Sequence, residues 1–204
     1  MRSVREGLPD RRAGGETIMN VLIAGVGGQG VVLASKLIAQ CAVLRGELTR
    51  TAETIGMAQR GGSVVSHVRT GRDAYSPLIP KGYADVLLGF EPSEAVRNLA
   101  WLKPGGTVVV SDRAIYATNS AGYNPAEMLD YLRYSSQARK LSVVPSIVIS
   151  ETLGSLRSLN IALLGVAAAT GQLGATTEEL EAAMDALMSA KNAAAAKPAL
   201  NLFL

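Results

Sequence analysis

Apolar positions along the chain follow two rhythms. Asn20-Val-Leu-Ile-Ala24, Ala84-Asp-Val-Leu-Leu-Gly-Phe90 and Thr107-Val-Val-Val-Ser111 are short apolar or β-branched runs bounded by glycine, proline or polar residues. Runs of that length and make-up predict strands buried on both faces. Ser63-Val-Val-Ser-His-Val-Arg69 alternates, so Ser63, Val65, His67 and Arg69 share one strand face and Val64, Ser66 and Val68 the other. Val31, Ala34, Leu37, Ile38 and Cys41 recur at helical spacing, and Arg45-Gly46 is a plausible stop. Glu47–Ala52 alternates enough for a further strand, and Pro92 or Ser93 opens a helix through about Trp101, followed by a turn at Lys103–Gly106. Pro125–Tyr134 reads as a short helix. Ser142–Ile149 reads as a last strand, with Pro145 placing it near an edge or bulge.

Beyond it, a long apolar helix is expected from Leu153 to about Thr170, stopped by Gly171-Gln-Leu-Gly174. Thr176-Thr-Glu-Glu179 then opens an amphipathic helix as a capping box, with Leu180, Met184, Leu187 and Met188 on its buried stripe. Residues 192–204 read as a tail whose apolar end docks. The strand–helix–strand rhythm predicts one α/β domain, a Rossmann-like three-layer α/β/α unit around a mainly parallel, doubly wound sheet. Ligands of such sheets lie at the carboxyl ends of strands, which here means Gly25–Gly30, Phe90–Ser93 and Ser111–Asp112.

Composition narrows the class. The chain has 204 residues, 48% of them hydrophobic but only 4% aromatic, which suits one core built from small residues. Its 20 basic and 17 acidic residues are dispersed, and no Lys/Arg cluster alternates with aromatics, so the net charge of +3 does not indicate nucleic-acid binding. No apolar run reaches the ~18 residues of a membrane span, and a cytoplasmic protein is expected. One cysteine, Cys41, excludes an intrachain disulfide and any iron–sulfur or zinc site made from this chain's thiolates alone. Residues 1–18 lack periodicity and the apolar core of a signal peptide. They are expected to be a disordered leader before a domain over 19–204, with Met19 as an alternative natural start.

Two stretches carry candidate chemistry. Gly25-Val-Gly-Gly-Gln-Gly30 stands between a strand and a helix and fits G-x-G-x-x-G. Gly25, Gly27, Gly28 and Gly30, with Gln29, either present N–H groups to an anion or only shape the strand–helix junction; the spacing leaves both open. In Gln59-Arg60-Gly61-Gly62 the guanidinium offers a fork for a carboxylate or phosphate beside a backbone that can approach closely. An exposed hairpin with a solvated arginine is the plainer reading. His67, the one histidine, has no ligand-spaced partner and reads as a structural or surface residue rather than a metal ligand or catalytic group. Glu53 lies where the dinucleotide fingerprint expects a ribose ligand, which keeps a stand-alone NAD(P)-binding dehydrogenase or a nucleotide-sensing module among the readings. No catalytic triad, H-E-x-x-H, Walker sequence or magnesium–thiamine motif is present.

Asn20–Gly30, followed by Glu53-Thr-x-Gly-x-Ala-Gln-Arg-Gly-Gly62 and His67-x-Arg69, resembles the gamma-type domain of 2-oxoacid:ferredoxin oxidoreductases. Gly154-x-x-Arg157-x-x-Asn160 leading to Leu164-Gly165 is similar to the same family, and Ala-Gln-Arg-Gly-Gly favours its indolepyruvate branch. The resemblance runs from about Met19 to the C-terminus. It implies a hetero-oligomer in which a large (alpha) subunit carries thiamine diphosphate, Mg and [4Fe-4S] clusters while this chain binds no cofactor alone. The implied reaction converts an arylpyruvate such as indolepyruvate, with coenzyme A and oxidised ferredoxin, to arylacetyl-CoA, CO2 and reduced ferredoxin. It also implies that the Gly25–Gly30 turn, Gln59–Gly62 and Asn160 face the partner or its substrate channel, with no catalytic or metal-binding residue on this chain.

Overall fold

The computed structural model describes residues 18–55, 61–116, 122–135 and 138–204. Six strands form one sheet: β1 (Met19–Val26), β2 (Thr49–Ile55), β3 (Ser63–Thr70), β4 (Ala84–Gly89), β5 (Leu102–Ser111) and β6 (Ala138–Val144), in the order β2-β3-β1-β4-β5-β6. β1, β4, β5 and β6 run parallel, whereas β3 lies antiparallel between β1 and β2. The sheet is therefore mixed, a parallel half extended by a β2–β3 hairpin.

Period-two side-chain alternation divides the core. Val21 and Ile23 of β1, with Val64 and Val68 of β3, face α1 (Val31–Leu44), α5 (Leu159–Ala169), α6 (Thr177–Leu187) and α7 (Ala190–Leu200). Leu22 and Ala24 point to the other face, with Leu87, Val108 and Val110, against α2 (Pro92–Arg97) and α3 (Pro125–Tyr134). Burial of both faces explains the continuous apolar runs and gives the expected three layers. The chain leaves β1 for α1 on one face and β4 for α2 on the other. The carboxyl ends of these neighbouring strands form the crevice where the winding reverses.

Several local expectations change. The strand expected at Ser142–Ile149 ends at Val144, because Pro145 has no N–H for the ladder. Pro145 instead precedes α4 (Ser146–Leu153), so Ile147–Ile149 are helical. The long helix expected from Leu153 is interrupted where Gly154 takes φ 65° and ends α4. Ser155 caps a single 3-10 turn, Leu156–Ser158, and α5 follows. Arg157 and Asn160 thus sit on different elements. Lys103–Gly106 is not a turn but the kinked start of β5, whose register shifts at Gly106/Thr107. The second strand is displaced to Thr49–Ile55. The tail forms α7, and Gly165 lets it close on α5: a Cβ there would lie 1.9 Å from the Leu200 carbonyl oxygen. The Thr176/Glu179 capping box forms as expected.

Candidate functional site

The glycine turn closes on itself at the carboxyl end of β1. The Gln29 N–H donates to the Val26 carbonyl at 3.1 Å, and the Gln29 side chain folds back over Gly25. Its Oε1 accepts from the Val26 N–H at 2.7 Å while its Nε2 donates to the Phe90 carbonyl at 2.8 Å. One amide therefore joins the ends of two parallel strands. Gly25 is glycine because a Cβ would stand 2.9 Å from Gln29 Oε1, Phe90 Cβ and Val31 Cγ2 alike. The Gly27 N–H donates to the Gly62 carbonyl at 2.8 Å, which ties the turn to the foot of the β2–β3 hairpin.

Three of the turn's N–H groups, on Val26, Gly27 and Gln29, thus have partners inside the protein. A phosphate cradle needs such groups free and convergent. These three contacts shape the strand–helix junction; the N–H groups that open α1 are not among them. Gly28 (φ 98°) is exposed with open space around it, and Gly30 (φ 84°) precedes α1. Asn160, on the first turn of α5, covers Gly30 so closely that a Cβ there would lie 2.4 Å from Nδ2; its Oδ1 accepts from the Ile161 N–H at 3.0 Å. Gly25, Gly27, Gly28, Gln29, Gly30, Gly61, Gly62 and Asn160 are therefore gathered at one edge, with Gly61 held beside Gly62 by the chain. Gln59 and Arg60 lie outside the described residues.

The same edge holds Phe90–Ser93, as expected, together with Glu94 and Tyr123, which sequence reasoning missed. Glu91, 1% exposed, caps α2 by accepting from the Glu94 N–H at 3.0 Å; it also accepts from Ser93 Oγ at 2.5 Å and from the Tyr123 hydroxyl. Glu94, 3% exposed, accepts from Ser63 Oγ at 2.6 Å and from the Arg97 guanidinium at 2.8 Å. Burial first, and then the bond to Glu91, push the Tyr123 hydroxyl well above the ordinary tyrosine range. Glu91-Pro-Ser-Glu94 carried a local signal, an acceptor followed by proline at the first helical position and glutamate two residues later. Tyr123 is brought in by tertiary structure and had no local signal.

His67 is structural, as expected. It is 6% exposed, its Nδ1 accepts from the Ile79 N–H at 3.3 Å, its ring stands edge-on to Trp101, and burial lowers its pKa. Glu53 is unlike a ribose ligand: β3 separates its strand from β1, and its Oε1 accepts from Ser35 Oγ at 3.2 Å. An open groove of about 530 Å³ lies at the opposite end of β1, beside Met19, but its Arg45 is already paired with Glu47 and Glu179. Among the described residues no group of three or more His, Cys, Asp or Glu side chains converges on a metal-sized site, and no helix is long and apolar enough to cross a membrane.

A family model described as pyruvate ferredoxin/flavodoxin oxidoreductase matches residues 20–202. Indolepyruvate oxidoreductase subunit IorB of Archaeoglobus fulgidus is 37% identical over 178 residues, covering 85% of this chain and 87% of that protein. The protein of the same name from Thermococcus kodakarensis is 32% identical over 166 residues, covering 79% and 82%. The crystal structure of the gamma subunit of a keto/oxoacid ferredoxin oxidoreductase from Geobacter sulfurreducens superposes with a TM-score of 0.68 at 20% identity, covering 92% of this chain and 94% of that one. That likeness is one of fold.

Proposed function

The chain belongs to the pyruvate ferredoxin/flavodoxin oxidoreductase family, and from that premise we propose that it is the small subunit of an indolepyruvate:ferredoxin oxidoreductase. Its relatives are subunits of oxidoreductase complexes, so a hetero-oligomer is the working state. The observation that carries the choice of substrate is the similarity, over most of the chain, to two proteins named for indolepyruvate. The proposed reaction is oxidative decarboxylation of an arylpyruvate with coenzyme A, delivering electrons to ferredoxin in the cytoplasm.

The large subunit supplies thiamine diphosphate, Mg and [4Fe-4S] clusters in this reading, and with them the decarboxylation and electron transfer. This chain contributes the carboxyl-edge surface: the turn at Gly25–Gly30, the hairpin end at Gly61–Gly62, and Asn160 beneath them. The engagement of the turn's N–H groups with Gln29, Gly62 and Val26 supports a shaped docking face over a dinucleotide cradle. Arg60, from its place in Gln59–Gly62, is proposed to meet an acidic substrate or coenzyme group.

An anaerobic pull-down of the tagged chain from its host tests the reading, with iron and thiamine diphosphate assayed on whatever co-elutes. A large iron- and thiamine-containing partner and indolepyruvate-dependent ferredoxin reduction are expected. A lone chain that binds NAD(H) tightly would overturn the proposal in favour of a dehydrogenase.

A further inference from the structure

The segment from Phe90 to Glu94, which leaves β4 and opens α2, bonds to three separate stretches around the candidate site. Phe90, between β4 and the Glu91 cap of α2, accepts the Gln29 amide through its carbonyl and so holds the glycine turn. Glu94 accepts the hydroxyl of Ser63, the first residue of β3 and the one directly after Gly61–Gly62. Glu91 accepts the hydroxyl of Tyr123, next to the Asn124 that caps α3. Both carboxylates are almost wholly buried. Buried carboxylates are retained only with partners; beside the local ones (Ser93 and the Glu94 N–H for Glu91, Arg97 for Glu94), each has one hydroxyl partner from a different, sequence-remote segment. Tyr123 in turn packs against the exposed Tyr116 ring, with centroids 5.5 Å apart, which carries the contact to the segment leaving β5.

We propose that Glu91 and Glu94 are positioning residues: through Tyr123 and Ser63 they fix the approach to α3 and the foot of the β2–β3 hairpin relative to the glycine turn, so that the carboxyl-edge surface is preformed when the large subunit docks. This rests on the subunit reading above. The carboxylates touch no substrate in it; they act through the hydroxyls they hold. A preformed surface binds more tightly because less ordering remains to be done on association. Tyr123→Phe and Ser63→Ala each delete one hydroxyl and little else, while Ser63→Thr restores a donor.

Two measurements test the assignment. In the free full-length chain, Tyr123→Phe should speed amide exchange at residues 122–124 at least several-fold, and Ser63→Ala should do so at 61–63, with α5 exchange unchanged. When the chain is titrated into the iron- and thiamine-containing large subunit, each variant should raise the half-saturating concentration about five- to tenfold. The effect should fall on that concentration rather than on turnover at saturation, and Ser63→Thr should return to the wild-type value. Unchanged local exchange overturns the proposal outright. So does faster exchange with wild-type affinity, which would make the contacts merely local. A wild-type chain that binds no such partner instead refutes the subunit reading, and the docking role with it.

Discussion

Gln29 is the side chain whose removal is most informative. In Gln29→Ala the Val26 N–H loses its 2.7 Å acceptor and the Phe90 carbonyl its 2.8 Å donor. Val26 and Phe90 are 7% and 1% exposed, so water replaces the amide poorly. Each orphaned group costs about 1–3 kcal/mol; allowing for some water at the half-exposed turn, the sum is about 2–4 kcal/mol. With a urea m-value of ~2 kcal/mol/M, the unfolding midpoint should fall by about 1–2 M at unchanged m. Gln29→Glu separates the two contacts, because a carboxylate can still accept from Val26 but turns a second acceptor towards the Phe90 carbonyl. Its deficit against wild type should shrink as pH falls, since the protonated acid can donate there. The folded pKa of that glutamate is then raised, so its stabilising contribution is present at low pH and lost as pH rises through that value. Gly25→Ala should also destabilise, by about 1–3 kcal/mol, through three contacts at 2.9 Å. The Gly25→Ala/Gln29→Ala pair should lose less than the sum, because one of those contacts is Gln29 itself. A Gln29→Ala midpoint within about 0.25 M of wild type would refute the reasoning, since the amide would then be an ornament on a junction held by packing.

Further outcomes follow from other contacts. Gly165→Ala should destabilise by more than about 3 kcal/mol and release α7 to proteolysis, because its Cβ would meet backbone at Leu200 rather than a side chain that can yield; a wild-type proteolytic pattern would contradict this. His67 is buried and its pKa lowered, so the unfolded chain binds the proton more readily. Its contribution is full above the unfolded value near 6.5 and lost as pH falls through the window below, which a steeper fall in urea midpoint from pH 7.5 to 5.5 for wild type than for His67→Gln would check. Cys41 is wholly buried and its thiol is pushed up to about 11, by burial first and then by Glu179. It should resist alkylation at pH 8 until the chain unfolds, and stability should decline as pH rises from about 8.5 towards 11 as the unfolded thiol ionises first.

The legible part of this fold was the part in which local pattern and tertiary demand agree. The doubly buried β1 and β4 were readable as unbroken apolar runs, and α6 from its capping box, because each satisfies its requirements within a few residues. The antiparallel placement of β3 was not readable, since alternation says which side chains share a face but not which neighbour a strand takes. Ser142–Ile149 misled because its β-branched content suits either a strand or a short helix, and Pro145 decided the matter by ending the ladder. Gly154 broke a helix that apolar content alone would have continued. At the candidate site, the two glycine motifs and Asn160 were found from sequence, and the structure brings the described parts of them together. Phe90–Ser93 was placed at this edge from sequence, but nothing local shows that the glutamate capping α2 also holds Tyr123, a partner 32 residues away.

The glycine turn shows why a fingerprint read as letters is ambiguous. A strand followed at once by a helix needs glycine wherever backbone turns sharply or packs closely, and anion binding adds a second demand: the freed N–H groups must stay free. Here Gly25 and Gly30 meet the first demand, one beneath Gln29 and the other against Asn160. Gln29 fails the second, since the residue the motif leaves open supplies an internal acceptor and donor of its own. In this chain the Gln29 side chain secures the Val26 N–H and the Phe90 carbonyl while Gly62 holds the Gly27 N–H separately, so the junction is tied by contacts the glycine letters do not encode. Asparagine in place of Gln29 would be too short to span from Val26 to Phe90, and leucine would leave both backbone groups unpaired. The test of the whole reading accordingly falls on Gln29 before any glycine: if its loss loosens the edge and weakens docking together, the crevice at the end of β1 and β4 is built to be a surface.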